Sequence, residues 1–330
     1  FEDNAPVMPQ HKKDSVSGIS YKVVAVAGEA GAASPSTPIG VNLPNADWIR
    51  KNHGSKSVSL SNIEHAYNMA GAEGLLTEFS HAEEEIERAK KYANLAGNIH
   101  TALHEVLGHA SGQLEPGVNT SVIGPYYSPL EEARADLFAL WYIMDPKLIE
   151  LGIMTDLEVA KAEYDQYLKN GLMLQLRRIE PGKTITQAHM RNRQMVSKWV
   201  LERGAKNNAV SIVQRDGKTY IDIKDYDKLR LLFGELLKEV QRIKSQGDFK
   251  AAQKLFETYG VKVDPVLHKE VLDRSAALNI PPYAGFINPR LTPETNSQGE
   301  ITEIKLEYPS DFVQQMLEYG ERYAFLPVKN

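Results

Sequence analysis

His104-Glu105-Val106-Leu107-Gly108-His109 is the stretch that decides how this chain folds around a reaction centre. Two histidines bracketing a glutamate on a helix form a metal-binding pattern. The usual spacing of four sets the imidazoles about 40° apart on a helix of ~3.6 residues per turn. Here the histidines are five apart. On an undistorted α-helix they would stand about 140° apart and could not share an ion. The helix must therefore widen locally. A single π-type turn, closed by an i to i+5 hydrogen bond, absorbs the extra residue and returns both rings to one face. Gly108 suits such a turn because it adds no side chain to crowd it. Ala102, Leu103, Val106, Leu107 and Ala110 make the surroundings apolar.

A catalytic zinc takes three protein ligands and keeps a fourth position for water. The third ligand is expected on a neighbouring helix, and Pro129-Leu130-Glu131-Glu132-Ala133-Arg134-Ala135-Asp136-Leu137-Phe138 reads as a helix start, with proline and acids in its first turn. Glu132 and Asp136, four apart, share a face. One of them can bind the metal while the other buttresses a ligand histidine, and Glu131 can do similar supporting work. Glu105, beside a ligand but pointing elsewhere, is placed to take a proton from the zinc-bound water and pass it to a leaving amine. The competing reading, an amphipathic helix with two ordinary histidines next to a solvated acidic helix start, loses weight because both motifs occur close together in apolar surroundings.

The pair HEVLGH and EEARAD resembles the HEXXGH and EECRAE-type motifs of the dipeptidyl peptidase III family, and the resemblance extends over nearly the whole chain. It implies one zinc per chain on His104, His109 and Glu132, with Glu105 as general base and Glu131 and Asp136 supporting the ligands. Ala133 stands where many members have Cys, Asp136 replaces a Glu, and the stretch between the motifs is shorter than in animal members. That last difference removes a surface loop, so the resemblance does not carry over the partner binding associated with that loop, while the chemistry is untouched.

Three further segments resemble the family's substrate contacts. Pro38-Ile39-Gly40-Val41-Asn42-Leu43-Pro44-Asn45 is similar to an edge strand that receives a peptide by strand addition, with Asn42 and Asn45 holding the substrate's N-terminal end. An exposed strand edge offers main-chain hydrogen bonds that ignore side-chain identity, although the same residues alone are ordinary turn material. Gln187-Ala188-His189-Met190-Arg191-Asn192-Arg193 lies on an expected helix. His189 and Arg193, four apart, can converge on one ligand; the resemblance implies that His189 stabilises the tetrahedral transition state and Arg193 positions the substrate. Asn288-Pro289-Arg290-Leu291 resembles the segment whose arginine, here Arg290, pairs with a peptide's C-terminal carboxylate, a task suited to a planar bidentate donor. His11, His53, His65, His81, His100 and His268 have no ligand spacing to one another and receive no function.

Composition sets outer bounds. The 330 residues are 42% hydrophobic and 25% charged, ordinary values for a globular chain that buries a large core. A net charge of −5 argues against a dedicated nucleic-acid surface, and no apolar run approaches the ~18 residues of a membrane span. Zero cysteines exclude disulfides, thiol catalysis and cysteine metal sites. No secretory segment is recognisable, and a cytoplasmic setting is expected over a periplasmic one. The chain begins at Phe1, and the family's zinc motif normally comes past the middle of a longer polypeptide, so a C-terminal fragment is expected, weakly active until the missing N-terminal half is supplied.

Helices are expected over 61–76, 82–112, 130–144, 157–172, 184–203, 226–246, 249–259, 265–278 and 310–323, and strands over 19–27 and 301–307. Strands over 210–213 and 219–223 flank Asp216-Gly217, a type I′ hairpin signal. The expected class is mainly α with minor β (α+β): a helical zinc-bearing catalytic lobe plus segments of a second, strand-bearing lobe, together forming a cleft. The expected division is 1–26 leading into the catalytic lobe, 27–72 as a crossover with the substrate-binding strand, 73–290 as the catalytic lobe, and 291–330 returning to the second lobe. The function expected is zinc-dependent release of dipeptides from the N-terminus of short peptides. The alternatives are a zinc endopeptidase or amidase without N-terminal selectivity, and a non-catalytic peptide-binding fragment.

Overall fold

The computed structural model describes residues 1–15, 20–28, 40–43, 49, 53–54, 56–63, 72–280, 288–307, 309 and 311–327. The alternating, β-branched stretch near the N-terminus forms β1 (Ser20–Val24), which joins β2 (Gly40–Leu43) and β3 (Lys56–Leu60) in a sheet ordered β1-β3-β2. Among the described residues β2 therefore lies at a sheet edge. The connector 30–38, Asn45 and the side chain of Asn42 lie outside the described residues. So does half of the helix expected over 61–76: residues 61–63 and α1 (Ala72–Phe79) are helical, and 64–71 are not described.

Glu83, Glu84 and Glu85 open α2 (Glu83–Leu103), where acids complement the unpaired N–H groups of a first turn. The helix runs directly into a π-helical turn at His104–Gly108 and stops there, short of residue 112. After a 3-10 stretch at Thr120–Tyr126, α3 (Tyr127–Ile143) begins, followed by the short α4 (Lys147–Glu150) and α5 (Glu158–Leu172). α6 (Ala188–Asn207) starts four residues later than expected because the Gln187 side chain caps it, accepting from Met190 N–H at 2.7 Å. Its far end turns off at Asn208, in the left-handed region at φ 58°. β4 (Val210–Arg215) and β5 (Lys218–Ile223) pair antiparallel through Asp216 (φ 53°) and Gly217 (φ 73°), the two positive φ angles that a type I′ turn needs. α7 (Tyr226–Gln246), α8 (Phe249–Tyr259) and α9 (Pro265–Ala277) follow, each capped by an aspartate: Asp225, Asp248 and Asp264.

α3 sits in the middle of this bundle. Leu130, Ala133, Leu137, Phe138, Leu140 and Ile143 are buried on different sides of it, as expected of a helix surrounded by others. It packs against α2, α6, α7 and the π turn. That position has a chemical consequence: Glu131, Arg134 and Asp136 are buried with it, so each charge must find a partner inside the protein.

The chain divides into two compact units. The first comprises Phe1–Tyr21, Asn42–Ser57 and Gly74–Ile280, and holds α1 from Gly74 onward, α2 to α9 and the β4–β5 hairpin. Its N-terminal segment packs beside the end of the histidine motif: Glu2 accepts from Gly112 N–H at 3.0 Å, and Lys13 reaches the carbonyl of Ala110. The second comprises Lys22–Val41, Val58–Glu73 and Pro281–Asn330. In it β6 (Arg290–Thr295) pairs antiparallel with β7 (Ile301–Glu307), and α10 (Phe312–Tyr323) is capped by Asp311. β7 matches expectation, whereas β6 escapes sequence reading because Pro293 interrupts it. A proline is tolerated here because a two-stranded ribbon has only edge strands. The outcome is a mainly α architecture with minor β. Among the described residues no helix is long and apolar enough to cross a membrane.

Candidate metal centre

The five-residue histidine spacing is accommodated by the widened turn: His109 N–H donates to the carbonyl of His104 at 3.0 Å, an i to i+5 bond. The two imidazoles consequently lie together, ring centroids 4.8 Å apart and nearly perpendicular at 85°. Gly108 contributes by its closeness to α3. A Cβ on Gly108 would fall 2.6 Å from Ala135 Cα and 2.8 Å from its carbonyl oxygen. The small pair lets the π turn touch α3 between the acids that flank Ala135.

Those acids meet the histidines one by one. His104 donates from Nδ1 to Asp136 Oδ1 at 2.7 Å, and His109 Nδ1 lies 3.1 Å from Glu131 Oε1. Each imidazole thus has Nδ1 tied to a carboxylate, which leaves Nε2 as the nitrogen for a ligand and fixes the ring's rotation. Glu132 completes the group. Its Oε2 is buried, 3.3 Å from His104 Nε2 and 3.4 Å from His189 Nδ1, and makes no hydrogen bond. One ligand atom from each of His104, His109 and Glu132 falls within 4.8 Å of the others. A buried carboxylate oxygen without a partner is costly. Placed between ring nitrogens, it has the surroundings of a cation ligand, and two imidazoles with one carboxylate match the donor set of catalytic zinc.

The electrostatics point the same way. Burial disfavours the charged form of His104, but the Asp136 and Glu132 carboxylates beside the ring outweigh it and push the pKa up to about 10. Burial likewise opposes ionisation of Glu131, yet the Arg134 and Lys244 cations and His109 hold its carboxyl well below the usual range. Asp136 is buried too and held well below its range by His100 and His104. The cluster keeps its acids ionised and draws positive charge towards itself.

Glu131 is gripped from behind. Arg134 donates to it from Nε at 3.0 Å and Nη2 at 2.7 Å, and Lys244 Nζ adds a contact of 2.6 Å. Asp136 also accepts from Tyr167 at 2.8 Å and stands 3.3 Å from His100 Nε2. His100, Asp136 and His104 form a second group with metal-ligand proximity. Within it, however, Asp136 is already hydrogen-bonded to His104 and Tyr167, whereas Glu132 Oε2 in the first group makes no hydrogen bond. The first group is the better cation site on that ground.

Glu105 accepts from Ser57 Oγ at 3.1 Å. His189, at the start of α6, reaches Glu132, and Arg193, one turn further on, is half-buried. Arg290 lies in the second unit on β6, its Nη2 2.5 Å from Glu318. Arg134, Tyr167, Lys244 and His100 were not singled out by sequence reading. Two of them carried a signal: His100 precedes His104 by four residues, and Arg134 follows Glu131 by three, both same-face spacings on a helix. Tyr167 and Lys244 come from other helices and carried none.

The chain is 27% identical over 270 residues to dipeptidyl peptidase 3 of Nematostella vectensis, a match covering 69% of this chain and 36% of that protein. It is 24% identical to human dipeptidyl peptidase 3, covering 96% of this chain and 47% of the relative. Nudix hydrolase 3 of Arabidopsis thaliana is 26% identical, with 85% of this chain and 34% of that protein covered. The chain therefore spans roughly a third to a half of the length of these curated relatives. Two solved structures share its fold. Dipeptidyl-peptidase III from Corallococcus sp. strain EGB superposes with a TM-score of 0.67 at 22% identity, covering 85% of this chain and 49% of that one. DPP III from Caldithrix abyssi gives a TM-score of 0.63 at 24% identity, with 83% and 49% covered. The model of peptidase family M49 matches residues 9–117 and 115–276, and with most of its length so matched the chain belongs to that family.

Proposed function

We infer that this chain carries the zinc centre of a dipeptidyl peptidase III-like enzyme, which releases dipeptides from the N-terminus of short oligopeptides. The observation that carries the reading is the meeting of His104, His109 and Glu132, both imidazoles tied through Nδ1 to acids and Glu132 Oε2 left without a hydrogen bond. These three residues would hold one zinc ion, which when bound supplies Lewis-acid chemistry at a peptide carbonyl.

The chain's own groups do the rest. Glu105 takes the proton of the attacking water and delivers it to the departing amine, with Ser57 Oγ steadying one of its oxygens. His189, on the rim of the site beside Glu132, donates to the oxyanion as the carbonyl becomes tetrahedral. Arg193, on the same helix, positions the substrate. Asn42, Asn45 and Arg290 are assigned to the peptide's two ends, the asparagines to the N-terminal part and the arginine to the C-terminal carboxylate.

The test uses Glu105→Gln, which preserves shape and removes the base. It should keep zinc and lose hydrolysis of a peptide ladder, measured with the further sequence that the relatives carry supplied in trans. Wild-type chain in the same mixture should release dipeptides from free N-termini and spare acetylated ones. Internal cleavage of acetylated peptides would favour an endopeptidase, and turnover by Glu105→Gln at the wild-type rate would remove the general-base assignment.

A further inference from the structure

Tyr167 is a buried ionisable residue that the proposed reaction leaves without a task. Its ring is fixed on α5, stacked on His100 at 5.7 Å and edge-on to Phe233 at 6.4 Å between centroids. The hydroxyl lies 2.8 Å from Asp136 Oδ2 and 3.2 Å from Asn192 Oδ1. A phenol has one proton to give. The shorter contact, to a carboxylate, takes it, and the Asn192 contact would then bring two acceptors together. Asn192 is fully buried, and its Nδ2 has no hydrogen-bond partner. Turning the amide over removes the conflict, because Nδ2 then donates to the phenol oxygen; amide orientation is assigned from such networks. A one-way chain of donors results: Asn192 to Tyr167, Tyr167 to Asp136 Oδ2. The other Asp136 oxygen accepts from His104 Nδ1. Burial and the Asp136 charge hold the Tyr167 pKa well above its ordinary value, so the phenol stays a donor.

We propose that Tyr167 is a positioning residue for the metal centre: its hydroxyl, braced by Asn192, locks the Asp136 carboxylate so that His104 presents Nε2 to the cation. This rests on the zinc reading above. Asp136 Oδ1 is shared between His104 at 2.7 Å and His100 at 3.3 Å, and Tyr167 holds the opposite oxygen against rotation. Asn192 follows His189 by three residues on α6. The helix carrying His189 and Arg193 is thereby tied to His104 by a path separate from the His189–Glu132 contact.

The experiment measures zinc dissociation by chelator competition on the 330-residue chain, comparing wild type, Tyr167→Phe and Tyr164→Phe. Tyr164 is the control for a merely structural loss. It is fully buried on the same helix and donates to the Leu140 carbonyl at 2.6 Å, away from Asp136. Tyr167→Phe should weaken zinc binding about 10-fold, the range expected when a ligand's supporting shell is broken. Tyr164→Phe should stay within about 2-fold. A loss below about 5-fold in Tyr167→Phe, or an equal loss in Tyr164→Phe, overturns the proposal while leaving the zinc centre standing. Wild-type chain that bound no zinc would remove the metal reading and this inference with it.

Discussion

Gly108 and Ala135 are in backbone contact: a methyl group on Gly108 would stand 2.6 Å from Ala135 Cα, closer than any real Cβ approaches. Everything in the centre depends on that closeness. The π turn carries both histidines, and α3 carries Glu131, Glu132 and Asp136 on either side of Ala135.

Gly108→Ala should therefore force the π turn away from α3. Overpacking of this kind costs roughly 1–3 kcal/mol, visible as a lowered thermal midpoint. The displacement should also weaken zinc binding, because His104 and His109 would leave their carboxylate partners. Unchanged zinc affinity in this variant would show that the helix contact is not what sets the ligand geometry.

The protonation of His104 gives a second expectation. Its pKa of about 10 means that without metal the ring carries a proton at neutral pH, and a metal must displace it to bind Nε2. The sign follows: protons compete with zinc, so apparent affinity rises with pH and levels off above about 10. Calorimetric titration at pH 7 in buffers of different ionisation enthalpy should find about one proton released per zinc from this ring. No proton release would mean that His104 is neutral before binding and that Asp136 and Glu132 do not act on it as described.

How much of this was readable beforehand differs residue by residue. The five-residue spacing of His104 and His109 is incompatible with an ordinary helix if both serve one ion, so the π turn followed from the sequence by geometry alone. The acidic partners followed too, since Glu131, Glu132 and Asp136 lie in one short motif. Their own supports were hidden. Lys244 meets Glu131 and Tyr167 meets Asp136 from helices distant in sequence, and nothing local marks them. β6 was hidden for another reason: Pro293 argues against a strand unless the sheet is known to be a two-stranded ribbon. The late start of α6 rests on a glutamine, Gln187, serving as the cap where Ser, Thr, Asp or Asn is usual.

Arg134 offers a test of the buried charges. It is fully buried, and its guanidinium binds both oxygens of Glu131. Arg134→Met keeps much of the volume and leaves Glu131 with Lys244 and His109 only. Removing one partner of a buried ion pair typically costs about 3–5 kcal/mol, and a loss of that order is expected in denaturant unfolding. A loss under about 1 kcal/mol, the scale of an exposed pair, would mean that Lys244 alone neutralises Glu131.

The ligand set itself is tested most directly by counting metal. Purified chain should contain about one zinc, and His104→Ala, His109→Ala and Glu132→Ala should each lose most of it, since a site of three protein ligands does not survive the loss of one. Glu132→Ala is the decisive member, because Glu132 Oε2 is the buried oxygen without a hydrogen bond on which the assignment rests. Zinc retained in full by Glu132→Ala would contradict the account and move the ligand role to another acid on α3, with Glu131 the first candidate.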